Sequence, residues 1–147
     1  MKKYGVVLII LLLSSGYLDF GDDIRLTTPH VTANELTEVT KRTGIQFPAG
    51  TTGLGDFYQG SGIDDALAIK VAIPDAGMNA FLGNDLFQGE YEGSSRIQVG
   101  KGQSWWSPGD LMERKAHNKD LPQGRCVECS LGREKGQWVS CISWILT

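Results

Sequence analysis

ALAIKVAIPDAGMNAFLG, residues 66–83, decides the fold. From Ala66 to Ile73, the residues Leu67, Ile69, Val71 and Ile73 fall on one side of an extended chain, and Ala66, Ala68, Lys70 and Ala72 on the other. This is the period of two expected of a half-buried strand, with one face making core and the other lightly covered. Pro74 cannot continue a ladder, and Asp75 caps a short helix. In that helix Met78, Phe81 and Leu82 stand at i, i+3 and i+4 and turn back onto the Leu67/Ile69 face, until Gly83 ends it. On the other side, Gly60-Ser61-Gly62 marks a turn. Leu54 to Gln59 reads as a weaker strand, broken by Gly53 and Gly55, that pairs with residues 66–73 through the connection Gly60 to Asp65.

Upstream, Thr32-Ala33-Asn34-Glu35 is a capping box, in which the threonine hydroxyl and the glutamate carboxylate each satisfy a free backbone N–H of the first turn. Val31 and Leu36 occupy the hydrophobic-staple positions. Gly44 supplies a left-handed stop after Thr43, and Lys41 and Arg42 suit the negative end of the helix dipole. Leu36 and Val39 give only a narrow apolar stripe, and Ile45 can fold back onto Val39. A short surface helix follows from these signals.

Downstream, residues 83–102 are the least readable, with one strand expected at Arg96 to Val99. Ser107-Pro108 reads as an N-cap followed by proline at the first helical position, so a third helix is expected there, stapled by Trp106 and Leu111. The chain ends in a hairpin, Arg125 to Leu131 and Gln137 to Leu146. A three-residue turn Glu134-Lys135-Gly136 would set Leu131 opposite Val139, Cys129 opposite Cys141 and Val127 opposite Ser143. The predicted fold class is α+β: a single antiparallel sheet of four to five strands with two or three short helices packed on one face.

At 147 residues, with 41% apolar and 21% charged residues, the chain suits one ordinary domain and a single core. Its charge is polarised. Residues 19–92 carry twelve acids and four bases, and residues 96–135 eight bases and five acids; with Lys2 and Lys3 the total is −3. The basic half has no dense run, so nucleic acid is not expected as a partner.

The first sixteen residues read as an address. Lys2 and Lys3 precede the unbroken apolar run VVLIILLL, residues 6–13, and Ser14, Ser15 and Gly16 supply the small side chains that signal cleavage requires. Residues 1–16 are therefore a signal peptide or a membrane anchor through residues 4–16, and residues 17–147 the folded domain. The stretches LLLSSGYLDFGDD and TGIQFPAGTTGLGDFYQGSGIDDALAIKVAIP resemble the short enterobacterial inner-membrane lipoproteins of uncharacterised function, often carried in prophage-derived regions. That resemblance implies a periplasmic address, or one on the periplasmic face of the inner membrane, and no catalytic residue. It places Tyr17 where the lipid-bearing cysteine of the family stands. Tyrosine cannot carry a thioether lipid, so export without lipidation is expected.

Candidate chemistry is sparse. Gly50-Thr51-Thr52-Gly53-Leu54-Gly55 offers clustered N–H groups, but no Lys-Ser/Thr follows and no P-loop can be drawn. Asp64 and Asp65, with Asp56 nearby, could meet a hard cation, although adjacent strand residues point oppositely. Cys126-x-x-Cys129 with Cys141 and His117 has the residue types for zinc, but Val127-Glu128 reads as strand and would throw the two sulfurs to opposite faces. No metal or other cofactor is expected. Cys129 and Cys141 are the disulfide candidates in an oxidising compartment, with buried thiols as the alternative. Tyr91, Trp105 and Trp106 could stack on sugars, or pack. The expected function is that of a non-enzymatic binding or accessory factor of the envelope, stress-related or otherwise, with an envelope protein as partner. The alternative is a small metal-dependent hydrolase using Asp64, Asp65 and His117, or a carbohydrate-binding domain using Trp105.

Overall fold

The computed structural model describes residues 23–60, 64–89 and 99–146. The signal segment, Tyr17, Tyr91 and all but the last residue of the strand expected at Arg96 to Val99 lie outside these; Val99 itself is in a turn. Among the described residues there are six strands, β1 (Ile24–Thr27), β2 (Thr52–Gln59), β3 (Ala66–Ile73), β4 (Met112–Leu121), β5 (Arg125–Glu134) and β6 (Gln137–Leu146). They form one sheet in the order β1-β2-β3-β6-β5-β4, antiparallel throughout. Two short helices, α1 (Ala33–Thr43) and α2 (Met78–Leu82), accompany it. The α+β class and the single antiparallel sheet stand, with more sheet than the four to five strands expected.

β3 lies at the centre, as its apolar content demands. Leu67, Ile69, Val71 and Ile73 join Val39 and Ile45 from α1 and its exit, Met78 and Phe81 from α2, and Val127, Cys129 and Ile142 from the far strands in one buried cluster. The capping box is formed as read: the Thr32 N–H and hydroxyl donate to Glu35 Oε2, and the Asn34 N–H donates to Thr32 Oγ1. Gly44 ends α1 at φ 77°, a conformation that disfavours any side chain. Asn84 ties the exit of α1 to the end of α2, accepting from the Gln46 N–H at 2.7 Å and donating to the Gln46 carbonyl at 3.0 Å.

Several expectations give way. The second face of β3 is not lightly covered: Ala66, Ala68 and Lys70 are buried, and a smaller cluster of Leu111, Val139 and Cys141, with Leu54 and Trp106 against it, occupies that side. Asp75 does not cap. The cap position is Pro74, and Asp75–Gly77 is a single 3-10 turn before α2. Leu82 is exposed at the end of α2, and Gly83 stops it at an ordinary negative φ of −72°.

The third helix is absent: Pro108–Asp110 is one 3-10 turn without a side-chain cap, and the chain then enters β4. Beyond Leu111 the positions a helix would present on the same face are Arg114, Lys115 and Asn118. No apolar stripe supports a helix there, and the ladder to β5 takes the segment.

The hairpin turn is also tighter than read. Lys135 and Gly136 form a two-residue turn with φ of 49° and 79°, the left-handed pair of a type I′ hairpin, so Glu134 faces Gln137. One residue of register moves every pairing. Cys129 faces Ile142 and Cys141 faces Ser130, which places the two sulfurs on opposite sides of the sheet. None of the three cysteines is in a disulfide, and burial pushes the Cys129 and Cys141 thiols up to about 12.

Candidate functional site

The candidate site forms where α1 crosses β1, β2 and β3. It begins with a break in the β2 ladder. Thr52 pairs with Ala72 and Gly53 with Val71, but the next pair is Gly55 with Lys70, leaving Leu54 as an extra residue. Counted from Thr52, an unbroken strand would send Phe57 under α1 and Asp56 to the second face. The bulge reverses the phase. Asp56 turns to the α1 side between Leu26 of β1 and Ile69 of β3, and Phe57 turns away, where Arg25 lies over its ring at 5.0 Å.

From above, α1 presents Glu35, Glu38, Val39 and Arg42, spaced three and four apart so that they share one face. Together with Ile24, Asn34, Asp56, Tyr58 and Leu67 they enclose a pocket of about 250 Å³. Two of its three carboxylates are already engaged. Glu35 holds Thr32 in the capping box, and Glu38 accepts from Lys41 at 2.7 Å and Arg42 at 3.0 Å. Arg42 also lies over the rings of Tyr58, at 5.0 Å, and Trp144, at 5.6 Å.

Asp56 differs from both glutamates. Its residue is 5% exposed, and Oδ1 has no hydrogen-bond partner among the described residues. Burial among apolar neighbours, reinforced by the negative charge of Glu35 and only partly offset by Arg42, pushes its carboxyl up to about 6. A buried carboxyl that lines a pocket and keeps an acceptor without a partner makes this the candidate functional site.

The residues picked out in the sequence lie elsewhere, and not together. Asp65 is a structural clamp: Arg125 donates to its Oδ1 at 2.7 Å and to its carbonyl at 3.2 Å, and Tyr58 donates to Oδ2 at 3.1 Å. Burial alone would raise its carboxyl, but the hydrogen bonds from Arg125 and Tyr58 outweigh that and hold it below the usual range. Asp64 is exposed in the turn before β3. His117 is a β4 residue, edge-on to Phe87 at 5.1 Å, and burial together with Lys115 lowers its affinity for a proton. β6 and β5 intervene between β3 and β4. At about 4.8 Å per strand the aspartates and the histidine are at least roughly 14 Å apart, since His117 also stands level with Ile69 and not with the start of β3, too far to share a cation or a substrate. Among the described residues no group of three His, Cys, Asp or Glu side chains could hold a metal. Trp105 packs edge-on to Trp106 at 5.8 Å over Gly55, where any side chain would occupy the space of the indole.

Comparison with protein-family models, curated proteins and solved structures finds no match.

Proposed function

We propose that the protein is an exported, non-enzymatic binding domain of the cell envelope, with the pocket beneath α1 as its ligand site. The observation that carries this reading is the Asp56 carboxyl, which lines a mostly apolar pocket, is almost fully buried, and has in Oδ1 an acceptor with no hydrogen-bond partner among the described residues. Catalysis by a carboxyl of this kind needs a second group in reach. Among the described lining residues the other carboxylates, Glu35 and Glu38, are held by hydrogen bonds within or at the cap of their own helix. Such an arrangement favours holding a ligand over transforming it.

The address is supported by the basic start, the apolar run and the small residues of positions 2–16. Among the described residues no helix is long and apolar enough to cross a membrane. The experiment has two parts. A C-terminal alkaline phosphatase fusion should be active, since that enzyme needs the oxidising periplasm, and an inactive fusion would sink the address. Native mass spectrometry of protein released gently from cells should show a small-molecule adduct that is lost in an Asp56→Leu variant; an adduct indifferent to Asp56 would move the site elsewhere. If residues 13–16 derive from a lipoprotein signal, Tyr17→Cys should restore lipid labelling.

A further inference from the structure

We infer that the pocket beneath α1 takes a small organic cation, a protonated amine on a compact hydrocarbon body, with its ammonium hydrogen-bonded to Asp56. This rests on the reading of the pocket as a ligand site and specifies the ligand's chemistry.

The polarity of the open group comes first. Asp56 lines the pocket and when ionised only accepts hydrogen bonds, so whatever meets its carboxylate there must donate. The surrounding charge comes second. α1 contributes Glu35, Glu38 and Arg42 to the described lining and β2 contributes Asp56, while Ile24 of β1 and Leu67 of β3 bring no charge. Three acids therefore face one base, and that base is bonded to Glu38 and lies over two aromatic rings. An anionic ligand would meet three carboxylates, with the one cation of the described lining engaged. A neutral alcohol could donate to Asp56 but would leave its charge uncompensated in an apolar setting, where a cation supplies both the hydrogen bond and the countercharge.

Size and walls come third. About 250 Å³ lies below the roughly 300–1,000 Å³ of sites for drug-sized ligands. Ile24, Val39, Leu67 and the Tyr58 ring offer apolar contact for a compact hydrocarbon. The bulge at Leu54 is the device that builds the site, since it places a carboxylate where the simple alternation would have placed Phe57.

The test compares three probes of nearly equal shape, cyclohexylammonium, cyclohexanol and cyclohexanecarboxylate, by NMR titration of the Ile24, Val39 and Leu67 methyl groups in the full protein as purified. Cyclohexylammonium should shift these methyls saturably at neutral pH, and the other two should bind at least about tenfold more weakly. Asp56→Asn should weaken cyclohexylammonium by about tenfold or more while leaving the ligand-free methyl spectrum in place. On the wild-type protein, affinity should fall as pH drops below about 6, where Asp56 takes up its proton. That measurement stands whether or not the variant folds. Equal binding of cyclohexanol would overturn the cation and leave the pocket as a ligand site. Saturation by none of the three would overturn both readings. Cyclohexylammonium binding unchanged in Asp56→Asn, or unchanged below pH 6, would remove Asp56 from the inference and so end it.

Discussion

Asp56 and Lys70 are near neighbours in the centre of the sheet, equally hidden and oppositely treated. Gly55 pairs with Lys70 and Asp56 with Ile69, so the two ionisable residues sit one step apart on adjacent strands and point to opposite faces. Each is 5% exposed. Lys70 Nζ meets Glu134 Oε1 at 2.8 Å, on the face held by Leu111, Val139 and Cys141. Asp56 lines a pocket, and its Oδ1 meets no partner among the described residues. Burying an unpaired charge costs several kcal/mol, so a fold retains one where something besides stability selects it. The lysine belongs to the architecture and the aspartate to the candidate site.

The largest effect should come from breaking the paired side. Glu134→Ala strands the Lys70 ammonium in the sheet. Because the Glu134 side chain is 30% exposed, the cost should lie at or below the lower end of the range for buried pairs, about 2–3 kcal/mol by urea unfolding. Lys70→Met should be far milder, since Glu134 can turn to water, and adding it to Glu134→Ala should recover most of the loss. A double variant no better than Glu134→Ala would show that the pair matters for something other than its charge.

On the unpaired side the sign reverses. Asp56→Asn removes a charge held against its solvation and should stabilise the protein at pH 7 by about 1–2 kcal/mol. That is less than the roughly 3 kcal/mol implied by a carboxyl raised from 3.8 to about 6, because the amide must still be buried. Destabilisation would mean that Asp56 is satisfied after all.

The same residue predicts a pH dependence of that difference. The folded state holds the Asp56 proton up to about 6 and the unfolded state only to 3.8, so this carboxyl makes the protein less stable as pH rises between the two values, with the full penalty present above 6. His117 acts against it, since its lowered proton affinity favours the unfolded state as pH falls below 6.5. Subtracting the stability of Asp56→Asn from that of the wild type cancels the histidine. The variant's advantage should shrink as pH falls below about 6 and pass to the wild type toward pH 4, because the roughly 3 kcal/mol carried by the carboxyl exceeds the gap at pH 7, and a gap constant over that range would contradict the assigned environment.

Much of the fold was legible because its signals are local. The β3 bounds, the Thr32/Glu35 box and the Gly44 stop each lie within a few residues and are formed as read. What failed depended on distant partners. Ser107-Pro108 carries a helix-start signature, yet Arg114, Lys115 and Asn118 give no face to bury, and pairing with β5 decides the segment. The register of the last hairpin hung on whether Lys135 would adopt positive φ, a choice between two acceptable turns that exchanged the faces of the cysteines. β1 is four residues long, mostly exposed, and visible only through its pairing with β2. The site was the least legible part. Asp56 stood in the sequence as a neighbour of Asp64 and Asp65; only the unpaired Leu54, flanked by Gly53 and Gly55, hinted that the alternation would slip and carry the carboxylate under α1.

The smallest expected effect separates the two causes behind Asp56. Burial is the larger, and the Glu35 carboxylate adds to it. Glu35 is also half of the capping box, so most substitutions there would disturb α1 and the pocket together. Glutamine is the exception, because its side-chain carbonyl can accept the same Thr32 hydrogen bonds without charge. Glu35→Gln should therefore keep the helix and lower the Asp56 titration midpoint, read from the side-chain carboxyl carbon by NMR, yet leave it above the ordinary 3.8 because the apolar surroundings remain. A midpoint returned to 3.8 would make the neighbouring charge the main cause and would weaken the case for an apolar ligand site. An unmoved midpoint would mean that solvent screens Glu35 from the pocket, and desolvation alone would then set the aspartate apart from the paired lysine on the other face.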